Sequence, residues 1–321
     1  MYEQLQQLDH IRLNFGNNGS LVLNIVLAFI MFGVALGIKP IQFKTAFMHP
    51  KAVITGMISQ MILLPASTFL FVSIFHSYLT LTVAMGAILV AACPGGNISN
   101  FISSLSRGNV ELSVSLTAIS TITAIIVTPL NFAFWGNLYA ETSDLVRPLI
   151  IPLGEVFKTL VFILGIPLAL GVITSMKFPE FAKKISKPIQ RISILIFSIM
   201  VVVAFAANSE YFVKYIRYIF IIVLLQNTLA FLVGYVAATT ARLNDRDRRT
   251  VTIETGIQNS GMALMLIFNP AIFPPDMAVG GMAFVAAWWG VWHIIAGLSL
   301  AAFWNGKRFR EYNSLKLRRR R

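Results

Sequence analysis

Nine long runs of apolar residues constrain this chain more than any other feature of its sequence. A helix needs about 20 such residues to cross the hydrocarbon core of a bilayer. The 321 residues are 56% apolar and only 12% charged, with a mean hydropathy of +0.74, which leaves too little polar surface to cover a soluble globule. We predict an all-α polytopic membrane protein whose nine transmembrane helices lie near residues 20–38, 52–75, 79–106, 110–136, 148–174, 192–208, 215–238, 250–273 and 279–304.

The basic residues indicate how these spans are oriented. If the spans alternate in direction, most of the 26 Lys and Arg residues fall in the segments on one side of the membrane. Cytoplasmic segments are enriched in Lys and Arg. We therefore predict residues 1–19 outside, residues 305–321 as a basic cytoplasmic tail, and a multi-pass location in the cell (inner) membrane. The net charge of +13 is explained in this way without a nucleic-acid partner.

Two of the spans contain stretches that disfavour an uninterrupted helix. The third holds Cys93 to Asn100, where a proline removes a helix donor and two glycines weaken the helix. The eighth holds Glu254 to Gly261, with a carboxylate, amides, hydroxyls and two glycines. With residues 148–174 as a linking span, residues 20–136 and 192–304 form two quartets of opposite orientation, each with its third helix broken. Such paired interruptions are typical of the binding site of a secondary transporter.

The polar residues near the two breaks have the chemistry of a cation site. Backbone exposed by a broken helix survives in a membrane only where protein buries it or it lines a cavity, and its carbonyls can then bind ions. One carboxylate among neutral oxygens suits a monovalent ion such as sodium better than calcium. The candidate ligands are Glu254, Gln258, the carbonyls around Thr255 and Ile257, Ser99, Asn100, Ser113, Thr117 and Gln60.

Other interpretations of these residues remain open. Each hydroxyl could instead join two packed helices, and the stretch at Glu254 could be a short polar span end that faces water. The helices that restart near Asn97 and Asn259 favour an anion at their N-termini, so a carboxylate substrate could bind where the breaks meet. His293 is either a buried imidazole or part of the cavity wall. The histidines are isolated and no metalloprotease or phosphate-binding motif occurs, so an enzyme is not predicted.

The same residues resemble the signatures of the bile acid:sodium symporter family. Cys93 to Asn100, followed by Ser106 to Asn109 and Leu112 to Val114, is similar to one signature, and Glu254 to Gly261 with Val291 to His293 is similar to the other. The likeness extends over the chain from about residue 24. It implies a nine-span arrangement in which two broken helices cross inside a core domain, and the core domain moves against a panel domain.

The resemblance also implies two sodium ions that share one carboxylate. One site would use Ser99, Asn100, Ser113, Thr117 and Glu254, and the other would use Gln60, Glu254, Gln258 and the carbonyls of Thr255 and Ile257. The residues that would contact the substrate are Asn97, Asn259 and His293. Two positions depart from the family, since Asn97 stands where bacterial relatives often have Thr and Ile294 stands where an Asn is common.

We therefore predict a sodium-coupled symporter that imports an organic anion, a bile acid or another carboxylate, by alternating access. Its other partners would be sodium and the lipid bilayer, with no obligate protein partner. Three alternatives remain: a proton-coupled carrier, a transporter of small carboxylates such as pantoate on the same scaffold, and a membrane ligand sensor that does not transport.

Overall fold

The computed structural model describes residues 1–9, 11, 19–37, 48, 50–142, 153–207, 209–270, 272–274 and 277–318. Within these ranges the protein is helical and forms no strand, which confirms the all-α prediction. The helices are α1 (Tyr2–Asp9), α2 (Gly19–Ala35), α3 (Pro50–Ile74), α4 (Leu81–Ala92), α5 (Ile98–Leu105), α6 (Val110–Thr142), α7 (Gly154–Lys177), α8 (Pro179–Ala207), α9 (Ser209–Thr240), α10 (Asp245–Gly256), α11 (Ser260–Ile267) and α12 (Gly280–Arg318). The predicted start of the linking span, residues 148–152, and the last three residues of the predicted tail lie outside the described residues.

Five of the described helices are long and apolar enough to cross a membrane: α3, α6, α7, α9 and the Gly280–Gly306 part of α12. Nine crossings stay a prediction. The two largest departures from the predicted limits are in α8, which begins at Pro179 rather than near 192, and in α12, which continues to Arg318 rather than ending at 304. Hydrophobicity marks only the apolar part of a helix, and Lys, Arg and Glu, which are good helix formers, can continue it into polar surroundings.

The two predicted breaks lie against each other. Short helices α4 and α5 replace the third predicted span, and α10 and α11 replace the eighth. The connecting segments pair in antiparallel fashion, with the Asn259 N–H donating to the Pro94 carbonyl at 2.8 Å and the Gly96 N–H donating to the Ile257 carbonyl at 2.9 Å. Each break therefore satisfies backbone groups that the other leaves without a helical partner.

A π-helical turn in α3 sets the position of Gln60. Pro65 has no backbone N–H, so the carbonyl of Met61, four residues earlier, loses its helical partner. The side chain of Asn131 in α6 donates to this carbonyl at 2.7 Å. The helix widens into a π-turn over Ser59–Leu63, and Gln60 in this turn is buried against α10. Such turns are frequent at functional sites.

A hydrogen-bonded clamp joins the start of α6 to the first turns of α10. The Asn109 N–H donates to the Thr250 hydroxyl at 2.7 Å, and the Asn109 side chain donates to Asp247 at 2.8 Å. One turn further along, α6 presents Ser113 and α10 presents Glu254, because residues four apart share a helix face. The clamp therefore fixes the register in which these two side chains meet.

Candidate functional site

Glu254 lies at the centre of a cluster of hydroxyl groups and is only 1% exposed. Ser99 in α5 donates to its Oε1 at 2.6 Å, Thr117 in α6 donates to its Oε2 at 3.1 Å, and Ser113 also donates to Oε1. Ser113 and Thr117 reach the same carboxylate because they are four residues apart on α6. The structure thus brings four residues of the first predicted ion site into direct contact, from three different helices.

Asn100 joins this cluster through its side-chain oxygen. The oxygen accepts from Ser113 at 2.9 Å and from Thr117 at 3.3 Å. The Ser113 and Thr117 hydroxyls each carry a single proton. Each nevertheless lies within hydrogen-bond distance of two acceptors, the amide oxygen and the Glu254 carboxylate. The cluster therefore has more oxygen lone pairs than protons to fill them, an excess that a cation or a proton on the carboxylate would satisfy.

The broken end of α10 supplies a second set of oxygens. The last carbonyls of a helix lack backbone partners. Gln60 donates to the Glu254 carbonyl at 3.0 Å, and Gln258 donates to the Thr255 carbonyl at 2.8 Å. The Ile257 carbonyl accepts from the first break, as described above. The residues of the second predicted ion site thus meet at the end of α10, directly beside the first.

Several buried oxygens beside Glu254 lack a hydrogen-bond partner. The side-chain oxygens of Gln60 and Gln258 are buried and have no hydrogen-bond partner. A Cβ atom added at Gly95 would lie 2.7 Å from Gln60 Nε2 and 3.0 Å from Glu254 Oε2, so glycine lets both side chains approach the first break more closely than any other residue would. Buried oxygens without a partner are costly, and a cation bound between them would remove that cost.

The charge in this region is set by Glu254 alone. The ion pair present among the described residues joins Arg248 and Asp245 at 2.5 Å, and no described Lys or Arg pairs with Glu254. Nor do three His, Cys, Asp or Glu side chains come together anywhere in these ranges. One carboxylate with neutral oxygens is a donor set for a hard ion of low charge rather than for a transition metal.

The two asparagines predicted to contact substrate each stand at the start of a restarted helix. Asn97 precedes α5, is exposed, and makes no side-chain cap. Asn259 precedes α11, and its side-chain oxygen accepts from the Met262 N–H at 3.1 Å. Because this oxygen already caps the helix, the group that Asn259 can offer to an anion is its NH₂. The backbone pairing of the breaks brings both residues to the same region.

His293 lies on the face of α12 that packs against the second break. The residue is 5% exposed, and its Nδ1 has no partner. Gly290 and Gly297, on the same face, closely approach the side chains of Ser260 and Ile257 respectively. Among the described residues, no hydrogen bond joins His293 to either asparagine, and its unpaired Nδ1 is buried on the side of the breaks that faces α12.

Three further residues contact the site and are absent from the predicted set. Ser103 is fully buried and accepts from Ser113 at 3.2 Å; its spacing of four from Ser99 is the signal that could have identified it. The Ser59 and Thr255 hydroxyls are 2.8 Å apart. Asn227 in α9 donates to the Gly256 carbonyl at 2.7 Å. The sequence shows Asn227 as an amide in an apolar helix, but it does not show that the Gly256 carbonyl is its partner.

Together the fold and the site define a class: an all-helical membrane protein in which two interrupted helices meet around one buried carboxylate. The sequence profile of the sodium bile acid symporter family matches residues 24–215. The chain belongs to this family, whose members are sodium-dependent transporters.

Individual relatives agree with this assignment. The chain is 31% identical to a Bacillus subtilis protein named uncharacterized sodium-dependent transporter YocS over 285 residues, which cover 89% of this chain and 83% of that protein. It is 30% identical to the hepatic sodium/bile acid cotransporter of Homo sapiens over 308 residues, 92% of this chain and 84% of that protein. It is also 30% identical to the P3 protein of Homo sapiens over 257 residues, but spans only 52% of that protein's length.

Proposed function

We propose that this protein is a sodium-coupled symporter that imports an organic anion by alternating access. The observation that carries the proposal is the antiparallel pairing of the two breaks, which surrounds the buried Glu254 with hydroxyl, amide and carbonyl oxygens. An ion bound there contacts both broken helices at once. Its binding and release can therefore change how the two helices, and the substrate region beside them, are arranged.

Two sodium ions share Glu254 in this proposal. The first is bound by Ser99, Asn100, Ser113, Thr117 and Glu254. The second is bound by Gln60, Glu254, Gln258 and the carbonyls of Thr255 and Ile257. The unpaired side-chain oxygens of the two glutamines support the second site, because a bound ion would supply the partner that each lacks. Gln60 and Gln258 would have to turn these oxygens towards the ion.

The substrate is proposed to be a carboxylate that meets Asn97, the Asn259 NH₂ and His293. A monoanion, two sodium ions and the Glu254 carboxylate together leave the loaded site electrically neutral, which favours its enclosure in a low-dielectric interior. The cargo itself then carries one positive charge, worth about 2.3 kcal/mol per 100 mV of membrane potential. A negative cell interior therefore drives import. Bile acids and small carboxylates both satisfy this charge requirement.

The membrane arrangement belongs to the same proposal. Nine spans form two inverted quartets joined by one linking span, and the two broken helices belong to a core domain that moves against a panel domain. The distribution of Lys and Arg supports a cytoplasmic C-terminus and an outward N-terminus in the cell membrane. Pairs of broken helices in inverted halves are typical of transporters that work by alternating access about a central site.

Replacement of sodium tests the coupling. Uptake of a labelled bile acid and of labelled pantoate is measured in vesicles that contain the protein, in sodium, potassium or choline chloride. We expect uptake of at least one probe in sodium and little or none in the other salts, since the coupling ion is proposed to be sodium. Vesicles without the protein are the control.

Unchanged uptake in potassium or choline would contradict the proposal. Uptake that persists without sodium and follows external pH would favour proton coupling, because a proton on Glu254 would also satisfy the excess of lone pairs. Binding of an anion without uptake would favour a ligand sensor.

A further inference from the structure

The carbonyl groups at the broken end of α10 share an unusual kind of partner. The last four carbonyls of an α-helix have no donor within the helix. Three consecutive carbonyls here each accept from a side-chain amide, two of them from other helices and one from the residue pair that follows α10. The pairs are Glu254 with Gln60 at 3.0 Å, Thr255 with Gln258 at 2.8 Å, and Gly256 with Asn227 at 2.7 Å.

The three amides also share an unpaired oxygen. Gln60, Gln258 and Asn227 are each at most 1% exposed, and the side-chain oxygen of each has no hydrogen-bond partner. A buried amide that is only half satisfied is a poor device for stability. Gln60 and Gln258 belong to the proposed second sodium site. Asn227 has the same bonding pattern at the next carbonyl, but it comes from α9, which contributes nothing else to the proposed sites.

Close packing holds α9 against the break. A Cβ atom added at Gly256 would lie 2.2 Å from Phe231 Cδ1, and one added at Gly234 would lie 2.9 Å from Thr255 Cβ. Asn227, Phe231 and Gly234 follow each other at spacings of four and three residues, so they share one face of α9. Glycine at both contact points lets this face approach the end of α10 closely enough for the Asn227 amide to reach the backbone.

We propose that Asn227 is a positioning residue for sodium binding. Its amide holds the Gly256 carbonyl towards α9 and so fixes the peptide units on either side, whose carbonyls belong to Thr255 and Ile257. The inference rests on the proposed function and extends it to a residue outside the two ligand sets. Without this hydrogen bond, the peptide that carries the Gly256 carbonyl keeps only the bond from its Ile257 N–H to the Ile253 carbonyl at 3.0 Å. Glycine has the widest range of backbone conformations, so the carbonyl ligands on either side become less well oriented.

The neighbouring residue provides a matched control. Gln226 is also fully buried, its Nε2 donates to the Ala87 carbonyl at 2.8 Å, and its side-chain oxygen is unpaired. Its partner lies within α4, outside both breaks. Replacing Gln226 removes an amide of the same kind, from the same helix and at the same depth, without touching the end of α10.

The test is a sodium titration of thermal stability. Purified full-length protein in detergent is unfolded at increasing sodium chloride, with choline chloride added to keep the ionic strength constant, since a ligand of the native state stabilises it by mass action. We expect Asn227→Leu to raise the sodium concentration for half-maximal stabilisation about 10-fold or more, the size typical of residues that orient ion ligands. Gln226→Leu should lower the unfolding temperature without sodium but leave the half-maximal concentration within about 2-fold of wild type.

Two results would overturn the inference: a wild-type half-maximal concentration in Asn227→Leu, or an equal increase in Gln226→Leu. If sodium does not stabilise the wild-type protein, the proposed function fails and the inference fails with it. If sodium stabilises the wild type and one of these two results is found, only the inference about Asn227 fails. If Asn227→Leu does not yield folded protein, Asn227→Ser replaces it. Its hydroxyl is too short to reach the Gly256 carbonyl, and the expected increase is in the same direction.

Discussion

Glu254→Gln is expected to abolish sodium-dependent uptake, because it removes the one charge that both proposed ion sites share. The substitution preserves the size of the side chain but places an NH₂ donor among Ser99, Ser113 and Thr117, whose hydroxyls now face a carboxylate. Loss of one partner of a buried charge pair costs about 3 to 5 kcal/mol. At about 1.4 kcal/mol per factor of ten, initial uptake at a fixed sodium concentration should fall at least ~100-fold.

The matched control is Glu111→Gln. Glu111 lies in the first turn of α6, two residues from Ser113, and is exposed. The same chemical change at this position should leave both the rate of uptake and its sodium dependence close to wild type. Wild-type sodium dependence in Glu254→Gln would refute the shared-carboxylate account. Sodium-independent uptake at a wild-type rate would instead indicate that the neutral side chain imitates a protonated carrier.

Gly95→Ala is expected to have the second largest effect, by displacing Gln60 and Glu254, two of the proposed ion ligands. The added carbon would lie 2.7 Å from Gln60 Nε2 and 3.0 Å from Glu254 Oε2, closer than such atoms approach. Overpacking of this kind costs about 1 to 3 kcal/mol. If that cost falls on the ion-bound state, sodium affinity should drop by about 5- to 150-fold. The drop is read from the sodium concentration that gives half-maximal thermal stabilisation.

Gly154→Ala is the control for this substitution. Gly154 lies near the start of α7, and no atom lies within 4 Å of a Cβ added there. The same methyl group should therefore leave the sodium titration unchanged. If Gly95→Ala binds sodium with wild-type affinity, the positions of Gln60 and Glu254 beside Gly95 do not determine sodium binding.

The positions of the two breaks could be predicted because their causes are local. Pro94 and the glycines after it disfavour a helix wherever they occur, and the polar run that starts at Glu254 interrupts an apolar segment. It could also be predicted that Ser113 and Thr117 act together, since a spacing of four places both on one helix face. The division of ligands into two ion sites came from the family resemblance rather than from these local patterns.

The contacts between distant segments could not be derived from sequence. The hydrogen bonds between the breaks join residues far apart in the chain, and no local pattern specifies their register. Gln60 contacts α10 because it lies in a π-helical turn of α3. Beside this turn, the Asn131 side chain donates to the Met61 carbonyl, which Pro65 leaves without a helical partner. Asn227 is recognisable as an amide in an apolar helix. Its partner is a backbone carbonyl, which every residue has, so the sequence does not show which carbonyl it bonds.

The most direct measurement of the central claim is accumulation of substrate driven by a sodium gradient alone. Purified protein is reconstituted into liposomes, and a labelled bile acid and labelled pantoate are supplied outside, with equal pH on both sides and a sodium gradient directed inward. The account predicts that at least one probe rises inside above its external concentration, and that a sodium ionophore collapses the accumulation. Equilibration without accumulation, or accumulation that requires a proton gradient and ignores sodium, would contradict it.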